Sequence, residues 1–300
     1  MDESFSNEFK HKKSRKKNEK YQGKHVKKVK RIRLKPIPFF IVVIILSSVI
    51  LINLNNIYEW KQDNENINIL EENIEEIIEV TEIEEEGEII NPPAEKESDY
   101  WYYIKVPFHD INFTGLLEKN NDTVGFINIR NTNINYPIVQ STNNEYYLNH
   151  AFDKSYNEAG WVYMDYRNND NFNDFNTIIY GHGRLNKTVF GSLKNLLDKK
   201  WQTNKDNYIM TISTPQKNSV YQIFSIYTIK AESYYIKTDF DNNSSKENWI
   251  EEMNNRNISL MKSPANVNDK IITLSTCLNN DGDRVVVHAK LIKLQNKETE

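Results

Sequence analysis

The sequence contains a single cysteine, Cys277, in 300 residues, so the chain can form no internal disulfide. That absence fits a cytosolic protein, and it equally fits an exported bacterial protein that does not depend on disulfides. The sequence also lacks a cluster of cysteines and histidines with the spacing of metal ligands. We therefore assign the chain no metal and no cofactor.

Charge is missing from residues 37–57, which form a continuous apolar segment. A helix that crosses the hydrocarbon core of a bilayer needs roughly 20 such residues. No small-residue Ala-x-Ala pattern follows, as it would behind a signal peptide that is removed, so an uncleaved anchor is predicted. The alternative is a helix buried in a soluble core, which the charged flanks on both sides disfavour.

The two flanks of this segment carry opposite charge. Residues 1–36 contain 14 Lys and Arg against 4 Asp and Glu, whereas residues 58–100 contain 2 Lys against 16 acidic residues. The positive-inside rule then predicts a cytoplasmic tail at 1–36 and an extracellular remainder after residue 57. The basic tail has the composition of a disordered segment. Because it shows no folded recognition element, we predict the membrane as its neighbour and no nucleic-acid partner.

The acidic segment 58–100 is predicted to be a spacer that is partly helical. Its simplest interpretation is a solvated stalk between the membrane and a folded domain. Apolar residues recur in it at steps of three and four, as on one face of an amphipathic helix: Ile67, Leu70, Ile74, Ile77 and Ile78. Pro92 and Pro93 would end any helix that reached them.

Residues 101–300 are close to neutral and rich in aromatic and β-branched residues, which marks them as the main folded domain. Short runs separated by Asn, Asp and Gly predict a mainly β domain of eight strands, in a barrel or a sandwich. The predicted strands are 124–129, 136–140, 160–164, 177–180, 208–213, 220–229, 270–277 and 284–294. Three helices are predicted at 110–119, 191–197 and 245–255. The last of these has Ser244 and Glu247 in a capping-box pattern and Trp249, Ile250 and Met253 as its buried face.

Cys277 ends a predicted strand, and Arg284 opens the next one seven residues later. A thiol at the end of a strand, near a guanidinium, suits nucleophilic chemistry, because the reacting species is a thiolate and its product is an oxyanion. Two other interpretations stay open. Cys277 would be a buried structural residue, as free cysteines often are, and Arg284 would be a surface residue paired with Asp281 or Asp283.

Among the histidines, His182 is the predicted proton carrier. It follows a predicted strand and lies between Gly181 and Gly183, which would free the backbone and expose the ring. His288 lies inside a strand and is a weaker candidate. The remaining two histidines of the folded domain, His109 and His150, are predicted to face solvent from polar loops.

Several ordered motifs resemble those of the sortases, the membrane-anchored cysteine transpeptidases of Gram-positive bacteria. The sequence Thr-Leu-Ser-Thr-Cys at 273–277, followed by Arg284, is similar to the catalytic signature, and Tyr-Gly-His at 180–182 is similar to the histidine motif. Serine two positions before the cysteine and a helix before the last catalytic strand resemble class B. So do segments 136–140, 146–148, 160–165, 176–183 and 190–193. The segment between Cys277 and Arg284 is shorter than is typical of class B.

The resemblance implies an eight-stranded sortase barrel with a few peripheral helices behind an N-terminal transmembrane helix. It implies a triad in which Cys277 attacks a Thr–Gly type bond in a C-terminal sorting signal. His182 would exchange protons with the leaving and incoming amines, and Arg284 would hold the oxyanion. Ser275, Thr276 and Tyr180 are implied in substrate binding, although strand packing explains Ser275 equally well. The implied partners are surface proteins with a sorting signal, and an acceptor amine from a peptidoglycan precursor or a pilin.

Three other functions remain possible from the sequence. A sortase-like module could bind sorting signals without cleaving them, although all three triad positions are filled. A thiol hydrolase could release its product to water. A membrane protein could bind DNA through its basic tail, although 1–36 offers no recognition element.

Overall fold

A computed structural model describes residues 36–85, 87–95, 98–277 and 282–297, with the backbone alone for Pro36, Ile37 and Cys277. The predicted basic tail lies outside the described residues, apart from Pro36, as does the segment 278–281 before the last strand. Within the described chain, residues up to Asn53 belong to one compact unit and Leu54–Glu300 to a second.

The predicted apolar span is helical. It begins a long helix, α1, that runs from Pro36 to Ile77. In the described part of the chain this is the one helix that is long and apolar enough to cross a membrane, with a mean hydropathy of 2.3 in its most apolar window and none of that window buried. An uncharged run of this length forms a helix readily in an apolar environment, because every backbone hydrogen bond is then satisfied internally.

The C-terminal part of α1 packs against the folded domain. Ile67, Leu70 and Ile74 are buried in its main core, whereas Ile77 is exposed. The predicted amphipathic helix is therefore present, with its buried face on three of the five predicted residues. A stalk that is solvated along its whole length is wrong for this segment, because burial of these side chains stabilises the docked helix.

Eleven strands follow α1 among the described residues: β1 Val80–Ile83, β2 Glu88–Ile89, β3 Phe108–Ile111, β4 Thr123–Ile129, β5 Asn135–Val139, β6 Tyr163–Met164, β7 Asn176–Tyr180, β8 Ile209–Ser213, β9 Lys217–Lys230, β10 Ile271–Cys277 and β11 Asp283–Asn296. The last eight correspond to the eight predicted strands. Residues 160–162 and Tyr208 were predicted to be in strands and are not. The first three strands were not predicted, because they are short and partly polar.

The eight strands β4 to β11 form a closed barrel, which confirms the predicted fold class. The order around the barrel is β10-β7-β6-β5-β4-β8-β9-β11, and β11 closes it by pairing with β10. The β10–β7 and β5–β6 pairs are parallel and the other pairs are antiparallel. Strand β2 extends the sheet beyond β11, and β1 pairs with β3 in a separate two-stranded sheet. Closure removes the unpaired edges that an open sheet would expose.

The helices are few and short apart from α1, as predicted. They are α2 Tyr100–Tyr103, α3 Thr114–Lys119, α4 Lys199–Gln202 and α5 Asn243–Asn255, with single 3₁₀ segments at Tyr146–Leu148, Gly191–Leu197 and Lys205–Tyr208. The helix predicted at 110–119 is wrong in its first residues, which belong to β3. The predicted 191–197 helix is present as a 3₁₀ segment.

Helix α5 is present as predicted but has a different cap. Asn242 accepts a hydrogen bond from the backbone N–H of Ser245 at 2.9 Å, and the Ser245 side chain completes the capping box, so the predicted Ser244–Glu247 box is wrong. Trp249, Ile250 and Met253 form the buried face, as predicted. This face packs in a second apolar cluster on the barrel wall, which includes residues of β9, β10 and β11. Both faces of β10 are consequently buried, rather than one.

Candidate functional site

The register of β7 and β10 brings the ends of two motif-bearing strands side by side. These strands are parallel, and Ser275 is paired with Tyr180. Each chain then continues for two residues, to Cys277 on one strand and to His182 just beyond the other. The Gly181 N–H reaches the Ser275 carbonyl at 3.4 Å, which keeps the two strand ends together. Two segments almost a hundred residues apart therefore meet at one end of the barrel.

The pairing of β10 with β11 adds Arg284 to the same end. These strands are antiparallel, and Cys277 and Arg284 are directly opposite each other in the register. Residues opposite each other in an antiparallel pair have Cβ atoms about 5 Å apart. The structure thus brings the positions of His182, Cys277 and Arg284 together, as the sequence predicted.

The His182 ring is held by two features that the sequence did not reveal. Its Nε2 lies 2.8 Å from the carbonyl oxygen of Leu148. Because a carbonyl only accepts, Nε2 carries a proton in this arrangement and Nδ1 is the nitrogen left to exchange one. On the other side, a Cβ at Gly160 would lie 3.0 Å from Cδ2 of His182 and 2.6 Å from the Tyr147 carbonyl, and φ there is +59°. Only glycine fits this position.

The backbone around His182 is also constrained. Its carbonyl oxygen accepts hydrogen bonds from the N–H groups of Arg184 and Phe190, both at 3.1 Å. A Cβ at Gly181 would lie 2.7 Å from the Phe190 ring. Gly181 is therefore needed for this close approach. Its φ is not positive, so the predicted conformational freedom is not its role.

A cleft of about 250 Å³ opens at this end of the barrel. His182 and Arg284 line it, together with Ser275 and Thr276 from the floor strand β10. The opposite wall comes from the segment between β9 and α5, which the sequence analysis had not assigned to the site. Its residues in the cleft are Ala231, Glu232, Tyr235 and Ile236. The shape and mixed polarity suit an extended peptide better than a small charged ligand.

The two floor residues differ in their hydrogen bonding. The Ser275 and Tyr235 hydroxyls lie 2.9 Å apart and are both buried, so the floor and the wall are bonded to each other. Thr276 is 4% exposed, and its Oγ1 finds no hydrogen-bond partner among the described residues. A buried hydroxyl without a partner is costly, which makes Thr276 a candidate donor or acceptor for a bound molecule.

Tyr180 lines the cleft with its ring, and its hydroxyl donates to Asp165 Oδ2 at 2.9 Å. Arg167 makes a two-pronged contact with the same carboxylate, from Nε at 2.8 Å and Nη2 at 2.7 Å. Burial raises the pKa of Asp165, but the hydrogen bonds from Arg167 and Tyr180 outweigh it and the pKa is lowered. The ionised carboxylate thus fixes the orientation of the Tyr180 ring.

Arg284 has its guanidinium in the cleft rather than in a surface ion pair with Asp283. The Asp283 carboxylate lies 2.6 Å from Lys230 Nζ, whereas Arg284 Nη1 donates to the Asp283 backbone carbonyl at 3.3 Å. Asp281, the other proposed partner, lies outside the described residues.

The other histidines of the folded domain are accounted for by packing. His288 is fully buried, and burial first and the Arg256 charge second lower its pKa to about 3. His150 stacks on Tyr146 with ring centroids 4.0 Å apart. His109 was predicted to face solvent and lies instead in β3, partly buried, where its Nε2 is 3.5 Å from Glu82.

Comparison with known proteins agrees with this site. Residues 127–292 match the family model of the sortase domain. Sortase B of Listeria monocytogenes is 33% identical over 180 residues, which cover 59% of this chain and 72% of the relative. A Staphylococcus aureus sortase B–substrate complex is 32% identical with a TM-score of 0.56, covering 60% of this chain and 84% of that one. Sortase B of Bacillus anthracis is 31% identical with a TM-score of 0.61, covering 77% and 98%.

A closed eight-stranded barrel with a thiol, a histidine and an arginine at one end defines a sortase, a cysteine transpeptidase. The chain belongs to the sortase family, and its relatives identify it as a class B member.

Proposed function

We propose that Cys277, His182 and Arg284 are the catalytic residues of this transpeptidase. The observation that carries the proposal is the pair of strand registers: Ser275 with Tyr180, and Cys277 with Arg284. Together they gather a nucleophile, a proton carrier and an oxyanion donor at one end of the barrel. These are the three groups that acyl transfer through a thioester requires.

In the first step, the Cys277 thiolate attacks the carbonyl carbon of the scissile bond and forms a tetrahedral oxyanion. The Arg284 guanidinium donates hydrogen bonds to this oxygen. The carbon–nitrogen bond then breaks, and His182 gives its proton to the leaving amine. The products are a thioester at Cys277, a neutral His182 and a released peptide with a free amine.

In the second step, an amine attacks the thioester and a new amide bond forms. His182 accepts the proton that the nitrogen loses, and the Cys277 thiolate is expelled. The enzyme returns to its starting state, since the proton given in the first step is recovered in the second. The Leu148 carbonyl stays bonded to Nε2 throughout and keeps Nδ1 as the exchanging nitrogen.

Substrate binding is proposed for Ser275, Thr276 and Tyr180. All three line the cleft, and the buried Thr276 hydroxyl without a partner would bond to a peptide group of the substrate. The Tyr180 ring would pack against an apolar side chain of the sorting signal. Ser275 already bonds to Tyr235, so it would act by orienting that wall residue or by sharing the bond with substrate.

The proposed substrate is the sorting signal of a surface protein, cleaved at a Thr–Gly type bond. The proposed acceptor is an amine of a peptidoglycan precursor or of a pilin. Support comes from structures of Staphylococcus aureus sortase B with its substrate and with a glycine tripeptide. The open cleft with its long wall suits a peptide in extended conformation.

We further propose that residues 37–57 of α1 cross the membrane, with 1–36 in the cytoplasm and the barrel outside the cell. The apolar helix and the opposite charges of its flanks support this arrangement. Residues 58–100 would then join the anchor to the domain at 101–300. Outside the cell the enzyme would meet both its protein substrate and the cell wall.

The test uses the full chain in detergent micelles, because residues before 101 pack against the barrel. The protein is incubated with labelled sorting-type peptides, with and without a peptide amine, and the products are identified by mass. We expect cleavage after threonine, a Cys277 adduct and an amide product. Cys277→Ala should abolish both cleavage and adduct without unfolding the domain, and full activity in that variant would disprove the mechanism.

Arg284→Lys tests the oxyanion role in the same assay. One ammonium cannot reproduce the planar, two-pronged donor, so we expect the rate to fall about 10²-fold. The cleaved bond and the adduct should be unchanged. A rate close to that of the unaltered enzyme would assign Arg284 a structural role instead.

A further inference from the structure

The docked part of α1, residues 63–74, contacts both of the loops that hold His182. One is the loop 184–189, which follows His182 directly. The other is the turn 157–160, whose last residue packs against the His182 ring. A helix continuous with the apolar N-terminal segment is thus bonded to the surroundings of the catalytic histidine.

The contact with loop 184–189 passes through a buried tyrosine. The Tyr136 hydroxyl donates to Glu71 Oε1 on α1 at 2.6 Å. The same hydroxyl accepts a hydrogen bond from the Val189 N–H at 2.8 Å. Tyr136 is 3% exposed, and its ring packs edge-to-face on Trp161. The tyrosine therefore connects a helix carboxylate to the backbone of the loop.

Val189 has a backbone conformation that needs such support. Its φ is +53°, a region that β-branched residues rarely adopt. It also pairs with Gly183 in an isolated bridge, next to His182. Such strain persists only where the surroundings hold it in place. The hydrogen bond from Tyr136 is one of the contacts that hold it, and Phe190, the next residue, bonds to the His182 carbonyl.

Two further contacts come from the start of the docked part. Asn64 Oδ1 accepts from Asn186 Nδ2 at 2.9 Å and from Arg184 Nη2. The carbonyl of Asp63 accepts from Asn157 Nδ2 at 3.1 Å. The Asn157 carbonyl in turn accepts from the N–H of Gly160, the residue against the His182 ring. Both sides of the histidine are therefore linked to α1.

We propose that Tyr136, Glu71 and Asn64 are positioning residues, through which the docked part of α1 holds His182 in its working orientation. The proposal rests on the catalytic role proposed for His182. It gives the juxtamembrane helix a part in the acyl-transfer steps. Loss of the Tyr136 bond frees the Val189 backbone to relax, and the histidine at the base of that loop moves with it. The cleft floor and wall, which bind the peptide, stay as they are.

The experiment compares two tyrosine-to-phenylalanine variants of the full chain in detergent micelles. Tyr136→Phe removes the hydroxyl that links α1 to the loop. Tyr103→Phe is the matched control, because Tyr103 is also fully buried and its hydroxyl donates to one backbone carbonyl, that of Lys205, at 3.1 Å. For each variant kcat, KM, the pH dependence of kcat and Tm are measured. We expect Tyr136→Phe to lower kcat about tenfold with little change in KM, since small misplacements of a reacting group are costly.

Two variants at Glu71 and Asn64 sharpen the result. Glu71→Gln keeps an acceptor for the Tyr136 hydroxyl and should retain kcat, whereas Glu71→Ala should behave like Tyr136→Phe. Asn64→Ala alters a partly exposed side chain, so the fold is kept even if Tyr136→Phe proves too unstable to assay. We expect it to lower kcat about threefold and to shift the pH dependence of kcat in the same direction as Tyr136→Phe.

His182→Ala in the same assay separates the two proposals. If His182→Ala keeps its rate, the proposed function itself is wrong. If His182→Ala is inactive while Tyr136→Phe has the kcat and pH dependence of Tyr103→Phe, only the positioning role is wrong. Unchanged kcat in Asn64→Ala together with equal kcat in Glu71→Gln and Glu71→Ala would overturn it as well.

Discussion

The open end of the barrel around His182 and the closed cluster around His288 make different use of the same side chain. His182 follows β7, lies in the cleft and has one ring nitrogen bonded to the Leu148 carbonyl. His288 lies within β11 and is fully buried. Its Nε2 is 2.9 Å from the Tyr227 hydroxyl and its Nδ1 is 2.8 Å from the Thr273 hydroxyl, so both nitrogens are occupied.

The difference between the two histidines lies in what they leave unsatisfied. Around His288 every ring nitrogen has a partner and the Trp249 ring packs edge-on against it, so the ring is held neutral as part of the core. Around His182 one nitrogen remains for substrate, and the Thr276 hydroxyl nearby has no partner among the described residues. In this barrel, chemistry is expected where polar groups are incompletely paired, and stability where they are fully paired.

The largest expected effect is at the open end. His182→Ala should lower kcat/KM for peptide cleavage roughly 10³-fold, because it removes the group that carries the proton in both steps. The free energy of unfolding should change by no more than about 1 kcal/mol, since a partly exposed ring with one hydrogen bond is lost. Peptide cleavage and urea unfolding of the full chain in micelles measure the two. A large loss of stability with modest loss of rate would break the comparison.

The opposite pattern is expected at the closed cluster. His288→Ala should destabilise the fold by about 3 kcal/mol, because it leaves a cavity and unpairs two buried hydroxyls. The folded fraction should keep kcat close to that of the unaltered enzyme at low temperature. The measurement is urea unfolding paired with peptide cleavage at 10 to 15 °C, a range where the variant stays folded. A folded variant with strongly reduced kcat would give His288 a part in catalysis.

The closed cluster should also make the fold sensitive to acid. The pKa of His288 is lowered in the folded state, so the unfolded chain binds a proton first as the pH falls through 6.5. The stability that His288 contributes is present above pH 6.5 and is lost progressively toward pH 3. Between pH 7 and pH 5 the loss should be about 2 kcal/mol. His288→Gln, which does not titrate, should lose less over the same interval; equal losses in the two proteins would contradict this account.

The smallest expected effect concerns the carboxylate behind the cleft. Tyr180→Phe removes the hydroxyl that donates to Asp165, while the two-pronged contact from Arg167 remains. We expect a cost of about 1 kcal/mol in unfolding free energy and a severalfold rise in KM, because the ring is less firmly oriented. Tyr102→Phe, whose exposed hydroxyl bonds to Asp206, serves as the control. A drop in kcat with unchanged KM would instead assign Tyr180 to the chemical steps.

Much of the site was predictable because its signals are local. The position of Cys277 at the end of a β-branched run, the histidine between glycines and the arginine at the next strand start all lie within short stretches. Strand boundaries follow aromatic and β-branched composition in the same way, so the eight barrel strands were predicted within a few residues. The apolar segment 37–57 also needs no partner to be recognised. Each of these features depends on neighbours along the chain.

The failures occurred where a distant segment decides. The apolar face of α1 predicts a helix, but its docking on the barrel depends on Tyr136 and on the loop 184–189, more than a hundred residues away from Asn64. The Leu148 carbonyl became the partner of His182, and Gly160 its packing neighbour, only through folding. Residues 110–111 were predicted to be helical and joined a strand instead, because β1 supplies its hydrogen-bond partner.

The sequence by itself determined the local elements, the apolar segment with its charged flanks and the residue types available for thiol chemistry. Periodicity and composition express preferences of neighbouring residues, and these survive in almost any tertiary context. Only the tertiary structure decided which strands are neighbours, and hence that Tyr180 pairs with Ser275 and Arg284 with Cys277. Those pairings depend on burying one shared core, whose free energy is the sum of contacts between segments far apart in the chain.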